Sequence, residues 1–293
     1  LAADAPTFEL QSHSVHSDGE LPAAGVVRVA AEAGVELLAL TDHDSVEGVA
    51  EAQAEARRCG VAFVTGVEIS TLYGDVADLH ILGYRVDTDD PALRERLAAS
   101  RQDRESRAGR MVQKLRELGF AVDEDSLRAR VATGKTVGRP HIAQATVTQP
   151  ANATRLAEEG LLEASAFLEA YLIEGRPAFA PRAAPSVAEA VELIHGAGGL
   201  AVWAHPFWDI AASDDVLAAM DHFVGLGIDG VEAFYATHTR EQTELLVNRC
   251  TALGLITTGS SDFHGPLHRQ FNRFRAFETY GLEPRLGPLL PGS

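Results

Sequence analysis

The sequence predicts an α/β fold: a largely parallel barrel of about seven strands with a helical subdomain inserted near its middle. Three observations carry that reading. Short apolar runs alternate with capped helical segments in both outer thirds of the chain. Most of the histidines follow one of those apolar runs. The stretch from residue 92 to 175 has a different texture, with Arg, Ala, Leu and Glu at helical spacing and few strand-like runs.

The elements can be justified in order. Phe8–Leu10 is a short apolar strand, followed by a polar loop and a helix with Pro22 near its first turn and Gly34 past its end. Val35–Leu40 is a buried-strand candidate ending at Thr41-Asp42-His43. Asp44 and Glu47 have the spacing of a capping box, which opens a helix stopping near Gly60, and Val61–Thr65 is the next strand. Leu79–Leu82 is apolar around His80, and the helical stretch that follows has a loop near Gly134–Pro140. The alternation then resumes. Ser186 with Glu189 caps a helix running to Ala197, Leu200–Ala204 and Gly230–Phe234 are strands, and Thr239 with Gln242 caps a helix ending at Gly254. Leu255–Thr258 is the last strand. The expected organisation is barrel over residues 1–91 and 176–280, a helical insertion or cap over 92–175, and an extended or disordered Pro/Gly-rich tail over 281–293.

Composition bounds the function. At 293 residues, 46% hydrophobic and 23% charged, the chain is globular in character, and no apolar run approaches the roughly 18 residues of a membrane span. No membrane partner is expected. Two cysteines, Cys59 and Cys250, make no disulfide framework, which suits a reducing cytoplasm. The opening residues resemble no signal peptide. A net charge of −17 argues against a protein that coats nucleic acid, so duplex DNA is not an expected partner. The charge is uneven: residues 91–182 carry +3 and the remainder −20.

The chemistry sits after the strands. His13 follows the first, Asp42 and His43 the second, Glu68 the third, His205 the strand at Leu200–Ala204, and Asp262 with His264 the last. His80 lies inside its own apolar run. In a parallel barrel these positions converge at the C-terminal mouth. A lone histidine on an apolar strand is usually a satisfied core residue, but five histidines and three acids after separate strands suit a site for Mn, Fe or Zn, in which carboxylates bridge neighbouring ions. Such a pair of ions activates water and grips a phosphoryl group.

Several motifs resemble the PHP domain, named for polymerase and histidinol phosphatase. They are Ser12-His13-Ser14 with Ser17-Asp18-Gly19, Leu40-Thr41-Asp42-His43-Asp44, Gly66-Val67-Glu68, Ala204-His205-Pro206, and Gly259-Ser260-Ser261-Asp262-Phe263-His264. Gly138-Arg139-Pro140-His141-Ile142-Ala143 and Glu174-Gly175-Arg176-Pro177-Ala178 look like the branch with a helical insertion, which removes phosphate from nucleoside 3′,5′-bisphosphates and trims short RNAs from the 5′ end. The resemblance implies a distorted (β/α)7 barrel and a cluster of two to three divalent ions. It implies that His13, Glu68 and Asp262 hold the first ion, that Glu68 bridges to a second held by His80 and His205, and that Asp18, His43 and His264 hold a third. Asp42 would orient its neighbours. One position departs from the family, whose first motif usually begins His-x-His: here Gln11 replaces the first histidine. A neutral amide oxygen is the weaker donor, so the first ion should be held less tightly or completed by water.

The expected reaction is hydrolysis of a phosphomonoester by metal-activated water, with a small nucleotide or a short RNA end as substrate. A phosphatase for a non-nucleotide metabolite such as histidinol phosphate, or a weakly active metal- or nucleotide-binding module, are the alternatives. Arg139 and His141, with Arg176 and Arg182 behind them, are candidates for substrate phosphate. Arg101, Arg104, Arg107 and Arg110 are expected to form a solvated helical stripe. His16 and His238 are candidate proton donors to the leaving oxygen. His195, His222 and His268 read as ordinary surface residues, Trp203 as core, and Trp208 as a candidate to stack a base.

Overall fold

The computed structural model describes residues 6–74, 76–132, 137–181 and 183–290. The chain divides into two compact units, one formed by residues up to Ala98 with those from Pro185 onward, the other by Ala99–Ala184.

The first unit opens with β1 (Phe8–Glu9), α1 (Ala23–Glu32), β2 (Leu37–Leu40), α2 (Val49–Cys59), β3 (Ala62–Tyr73) and β4 (Val76–Tyr84). The long helix α3 (Pro91–Glu117) leads into the second unit, which holds α4 (Glu124–Ala132), α5 (Arg139–Val147), α6 (Ala153–Glu159) and α7 (Ala164–Tyr171). The first unit then resumes with α8 (Val187–Gly196), β5 (Leu200–Trp203), α9 (Pro206–Asp209), α10 (Ser213–Gly225), β6 (Gly230–Tyr235), α11 (Arg240–Leu253) and β7 (Ile256–Ser260).

The seven strands form one sheet in chain order. Leu10 N donates to Gly259 O at 3.1 Å and His13 N to Phe263 O at 2.8 Å, so the two edges meet and the barrel nearly closes. Pairing is parallel except around β4, which runs antiparallel to both β3 and β5. That reversal is the distortion in the barrel, and it decides where His80 sits: midway along an antiparallel strand, opposite Ser70 near the end of β3 and next to Ile81, which pairs with Trp203 at the end of β5. Helices cover the outside with apolar stripes at helical spacing. Ala23, Val26, Val27 and Ala30 of α1 meet Ala52 and Ala56 of α2 over Leu38 and Leu40, while Val187, Val191 and Ile194 of α8 belong to the larger core with Ile81 and Val202.

The capping boxes at Ser186/Glu189 and Thr239/Gln242 both form, and Gly60 and Gly254 end their helices in the left-handed conformation. The box expected at Asp44/Glu47 does not. α2 starts only at Val49, and Asp44 instead adopts φ 49° and accepts from Ser70 N at 3.3 Å. β3 runs on well beyond Thr65, so Glu68 lies within a strand rather than after one.

The helical unit begins later than residue 92 because the first turns of α3 carry Leu93 and Leu97, which pack in the barrel core. It ends later than 175 because Ala178 and Ala180 pack with Met111, Leu115, Ile142 and Phe167 in a separate core. Arg107 departs from the solvated stripe expected of it, being buried with Nε donating to Ala180 O at 2.8 Å, whereas Arg110 is exposed and paired with Asp103. Arg101 is half-buried, and the side chain of Arg104 lies outside the described residues. The tail also departs from expectation. Thr257 N donates to Arg285 O at 3.0 Å, and Leu286 and Leu289, three apart around a 3-10 turn at Gly287–Leu289, are buried against the core. Residues 291–293 lie outside the described residues.

Candidate metal centre

Strand ends deliver the side chains. β1 runs into His13, β2 into Asp42 and His43, β5 into His205, and β7 into Asp262 and His264, while Glu68 and His80 project from β3 and β4. Asp44, His205 and Asp262 all have positive φ, at 49°, 30° and 53°. Left-handed backbone is costly for residues with a Cβ and survives where surroundings hold it. Here each amide has a partner: Asp44 N donates to Glu68 O at 2.8 Å, His205 N to Glu232 Oε2 at 3.1 Å, and Asp262 N to Ser260 Oγ at 3.2 Å.

Glu68 is the centre of the arrangement. Its Oε1 lies 2.8 Å from His80 Nδ1 and 3.3 Å from His205 Nε2, and its Oε2 lies 3.1 Å from His13 Nε2 and 3.4 Å from His43 Nδ1. Asp262 Oδ1 is 3.0 Å from His13 Nε2 and 3.7 Å from His264 Nδ1. Asp18 lies between His43 and His264, 3.6 Å from His43 Nε2 and 3.4 Å from His264 Nε2. All eight residues named from the sequence are therefore brought together. Ligand atoms of His13, Asp18, His43 and His264 lie within 4.8 Å of one another, as do those of His43, Glu68 and His80.

The donor set fits divalent ions. His13 Nε2, His43 Nδ1, Glu68 Oε2, Asp18 Oδ1 and Asp262 Oδ1 are buried, yet none makes a hydrogen bond of ordinary geometry. Buried polar atoms are normally satisfied. Nitrogen and oxygen atoms that instead converge from several strands, 3.0 to 3.7 Å apart, form a candidate set of ligands around a common centre. Burial would raise the carboxyls of Asp18, Glu68 and Asp262, but neighbouring imidazoles outweigh it: Asp18 and Glu68 are held well below the usual carboxylate range and Asp262 at about 2. Burial pushes His43 down to about 4. His13 is also disfavoured as a cation by burial, but the adjacent Asp262 and Glu68 carry it well above the usual imidazole range.

Asp42 is not among the converging atoms. It is buried and accepts three hydrogen bonds, from Ser14 N, Ser14 Oγ and Ser17 Oγ, each at 2.7 Å. Ser17 Oγ spends its proton there, so its 3.3 Å contact with His13 Nδ1 is one in which the imidazole donates. Once His13 sheds its second proton, as metal binding requires, that leaves Nε2 with its lone pair toward Glu68 and Asp262.

Three supporting residues were missed in the sequence. Glu232 lies under the cluster, accepting from His205 N and from Ser260 Oγ at 2.7 Å, and burial pushes its carboxyl to about 8. Glu9 accepts from Ser261 N, Ser261 Oγ and Arg275 N, with burial holding it at about 7. Each is a carboxylate set within an otherwise apolar strand segment, Glu9 between Phe8 and Leu10 and Glu232 between Val231 and Ala233, and that was the signal available. Tyr235 donates to Asp262 Oδ2 at 2.8 Å, fixing which oxygen faces His13. Gln11 is buried beside Ser260, with its Nε2 lacking a partner.

The remaining candidates separate. His238 Nδ1 donates to Ala233 O at 3.1 Å and burial pushes the ring to about 4, so it is neutral with an unprotonated Nε2. That arrangement suits an acceptor of a hydrogen bond better than a proton donor. His16 is half-buried with its ring beside Gly48, outside the set of ligand atoms. Arg139 and His141 do not lie in a loop: they open α5, where Gly138 N donates to His141 Nδ1 at 3.0 Å. Arg176 is exposed, and Arg182 lies outside the described residues. His195 pairs with Asp229 and His222 is exposed, both as expected of surface residues. His268 is not an ordinary surface residue, because it stacks on His264 at 5.0 Å and on Phe271 at 5.4 Å.

Comparison with known proteins agrees with this geometry. The PHP domain matches residues 9–123. A 5′-3′ exoribonuclease of Haemophilus influenzae is 33% identical over 259 residues, covering 88% of this chain and 90% of the relative. A 3′,5′-nucleoside bisphosphate phosphatase of Chromobacterium violaceum is 33% identical over 261 residues, covering 88% and 87%. A crystal structure described as a metal-dependent phosphoesterase of Bifidobacterium adolescentis has a TM-score of 0.73 and 29% identity, covering 90% of this chain and 89% of that one.

Proposed function

The chain belongs to the PHP domain family and is a metal-dependent phosphoesterase, and from that premise we propose that its substrate is a nucleoside 3′,5′-bisphosphate or the 5′ end of a short RNA. The observation that carries the proposal is Glu68, one carboxylate whose two oxygens each face two imidazoles. Relatives named for both substrates, each aligned with most of the chain, support the nucleotide part of it.

The proposed occupants are roughly two to three divalent ions, Mn, Fe or Zn, held by His13, Glu68 and Asp262, by Glu68, His80 and His205, and by Asp18, His43 and His264. Bound there, such ions would lower the pKa of water and neutralise charge on the phosphoryl oxygens. The protein's own part is positional. Asp42 and Ser17 set the tautomer of His13, Tyr235 turns Asp262, and Glu232 holds the left-handed turn at His205. His16 is retained as the proposed proton donor to the leaving oxygen, and the neutral Nε2 of His238 is assigned to accept from a substrate hydroxyl. Arg139, His141, Arg176 and Arg182 are assigned to substrate phosphate on their chemistry alone. A cytoplasmic setting is part of the proposal; among the described residues no helix is long and apolar enough to cross a membrane.

The test is phosphate release from a panel containing a nucleoside 3′,5′-bisphosphate, a 5′-phosphorylated oligonucleotide and histidinol phosphate, with metal content measured in the same sample. Turnover is expected on the first two and abolished in Glu68→Ala. Undiminished hydrolysis by a metal-verified Glu68→Ala sample, or turnover of histidinol phosphate alone, overturns the reading.

A further inference from the structure

Trp208 stands out on the surface of the barrel unit. Its side chain is 52% exposed, whereas Trp203, the other tryptophan in the chain, is fully buried. A tryptophan offers a broad apolar face with one polar edge, which suits it to a surface that meets a partner. Trp208 follows His205 closely in the chain, and its amide donates to His205 O at 2.8 Å, so the indole is tied to a metal-ligand position.

The indole is also the outer end of a continuous aromatic wall. Its ring centroid lies 5.7 Å from Phe271 and 6.4 Å from Tyr235. Phe271 in turn lies 5.6 Å from His264, and the Tyr235 hydroxyl donates to Asp262. Phe271 and Tyr235 are buried, so they back the indole without competing for its free face. The cluster that would take phosphate and the exposed face that offers only π surface are therefore one ring apart.

We propose that Trp208 is the platform on which the heteroaromatic base of the substrate stacks while its phosphate is held at the His/Asp/Glu cluster. The inference rests on the phosphoesterase reading above and narrows it: the enzyme selects phosphate esters that carry a base. Every nucleobase has a π face, so stacking selects for the presence of a base and tolerates its identity. Trp208 is on this account a specificity residue, acting on substrate binding and not on bond cleavage.

The experiment compares wild type, Trp208→Ala and Trp208→Phe on nucleoside 3′,5′-bisphosphates with each of the four bases and on ribose 5-phosphate. Trp208→Ala is expected to lower kcat/KM on the nucleotides about tenfold or more through KM, with ribose 5-phosphate hydrolysis unchanged and Trp208→Phe recovering most of the loss. A second readout needs no turnover. Because Trp203 is in the core, quencher-accessible tryptophan emission belongs to Trp208, and adenosine monophosphate should quench it while ribose 5-phosphate does not. Equal losses on both substrate types, no loss on either, or absent quenching overturn the proposal. A wild type that hydrolyses no nucleotide yet is quenched by one overturns the substrate reading and leaves the stacking site standing.

Discussion

Asp42 allows the support of the cluster to be tested apart from the cluster itself. Its carboxylate is buried and receives three short hydrogen bonds from Ser14 and Ser17, both also buried. Hydrogen bonds to a charged acceptor contribute roughly 1.5–3 kcal/mol each, and a buried donor stripped of its partner costs about 1–3 kcal/mol. In Asp42→Ala one backbone amide and two hydroxyls lose their acceptor, so a loss of roughly 4–6 kcal/mol in unfolding free energy is expected. Asp42→Asn can keep its Oδ1 on Ser14 N and Ser17 Oγ while its amide donates to Ser14 Oγ, and should lose only about 1–2 kcal/mol. The functional effect travels through Ser17. Once Ser17 Oγ no longer donates to Asp42, it can donate to His13 Nδ1, which favours the tautomer with the proton on Nε2, the atom that faces Glu68 and Asp262. Loss of such a supporting contact typically weakens metal binding roughly 10- to 100-fold. Urea unfolding of the metal-free chain and calorimetric titration with Mn measure the two effects separately. Asp42→Ala that is as stable as wild type and binds Mn equally tightly would refute the reasoning. Ser17→Ala should reproduce most of the affinity loss with a much smaller change in stability.

Three further outcomes are expected. A Cβ on Gly19 would lie 2.3 Å from His13 O and 2.8 Å from Ser14 N, so Gly19→Ala should cost about 2–4 kcal/mol and lower metal stoichiometry, measured by unfolding and elemental analysis. Metal affinity should rise with pH through the neutral range, because His13 and His205 are both held above the ordinary imidazole range without metal and must shed protons to bind it; His43, at about 4, adds nothing. Calorimetry in buffers of different ionisation enthalpy counts those protons, and a pH-independent affinity would contradict the assignment. Cys59 is exposed, while burial pushes the Cys250 thiol to about 12, so a thiol reagent should react with one cysteine in the native chain and two after denaturation.

Much of the converging His/Asp/Glu cluster was legible because its positions follow from strand ends, and strand ends are marked by apolar runs that stop. His13, His43, His205, Asp262 and His264 needed only that signal. His80 was placed at the right end of the barrel although the sequence gives no sign that β4 runs antiparallel, since a strand buried on both faces has the same apolar pattern in either direction. Asp44 shows where local pattern fails. Its spacing to Glu47 favours a helix cap, but a tertiary hydrogen bond from Ser70 on β3 holds it in a left-handed turn. His268 and the aromatic wall were hidden for a related reason: Trp208, Tyr235 and Phe271 are far apart in sequence and meet only where the segment after β7 packs on α9 and the end of β6. Arg107 looked like one more arginine in a solvated row, and only the return of the chain at Ala180 buries it.

Charge connects these parts. The barrel mouth gathers the carboxylates of Asp18, Glu68 and Asp262, each held ionised by its neighbours, in a chain whose net charge is −17. Without metal, only the imidazolium charges of His13, His205 and His264 offset those carboxylates, and at a pH where these rings are neutral an approaching phosphate would meet like charge in a partly dehydrated site, where repulsion is weakly screened. Two divalent ions would more than offset three carboxylates and reverse the sign of the mouth, while the distant surface acids would still disfavour a long polyanion. Metal occupancy is therefore expected to govern substrate binding as well as turnover. Chelation should abolish the affinity for a non-hydrolysable nucleotide analogue and not merely its slow conversion. Tight binding of that analogue to the chelated chain would mean that phosphate is held elsewhere, and that the cluster serves the bond-breaking step alone.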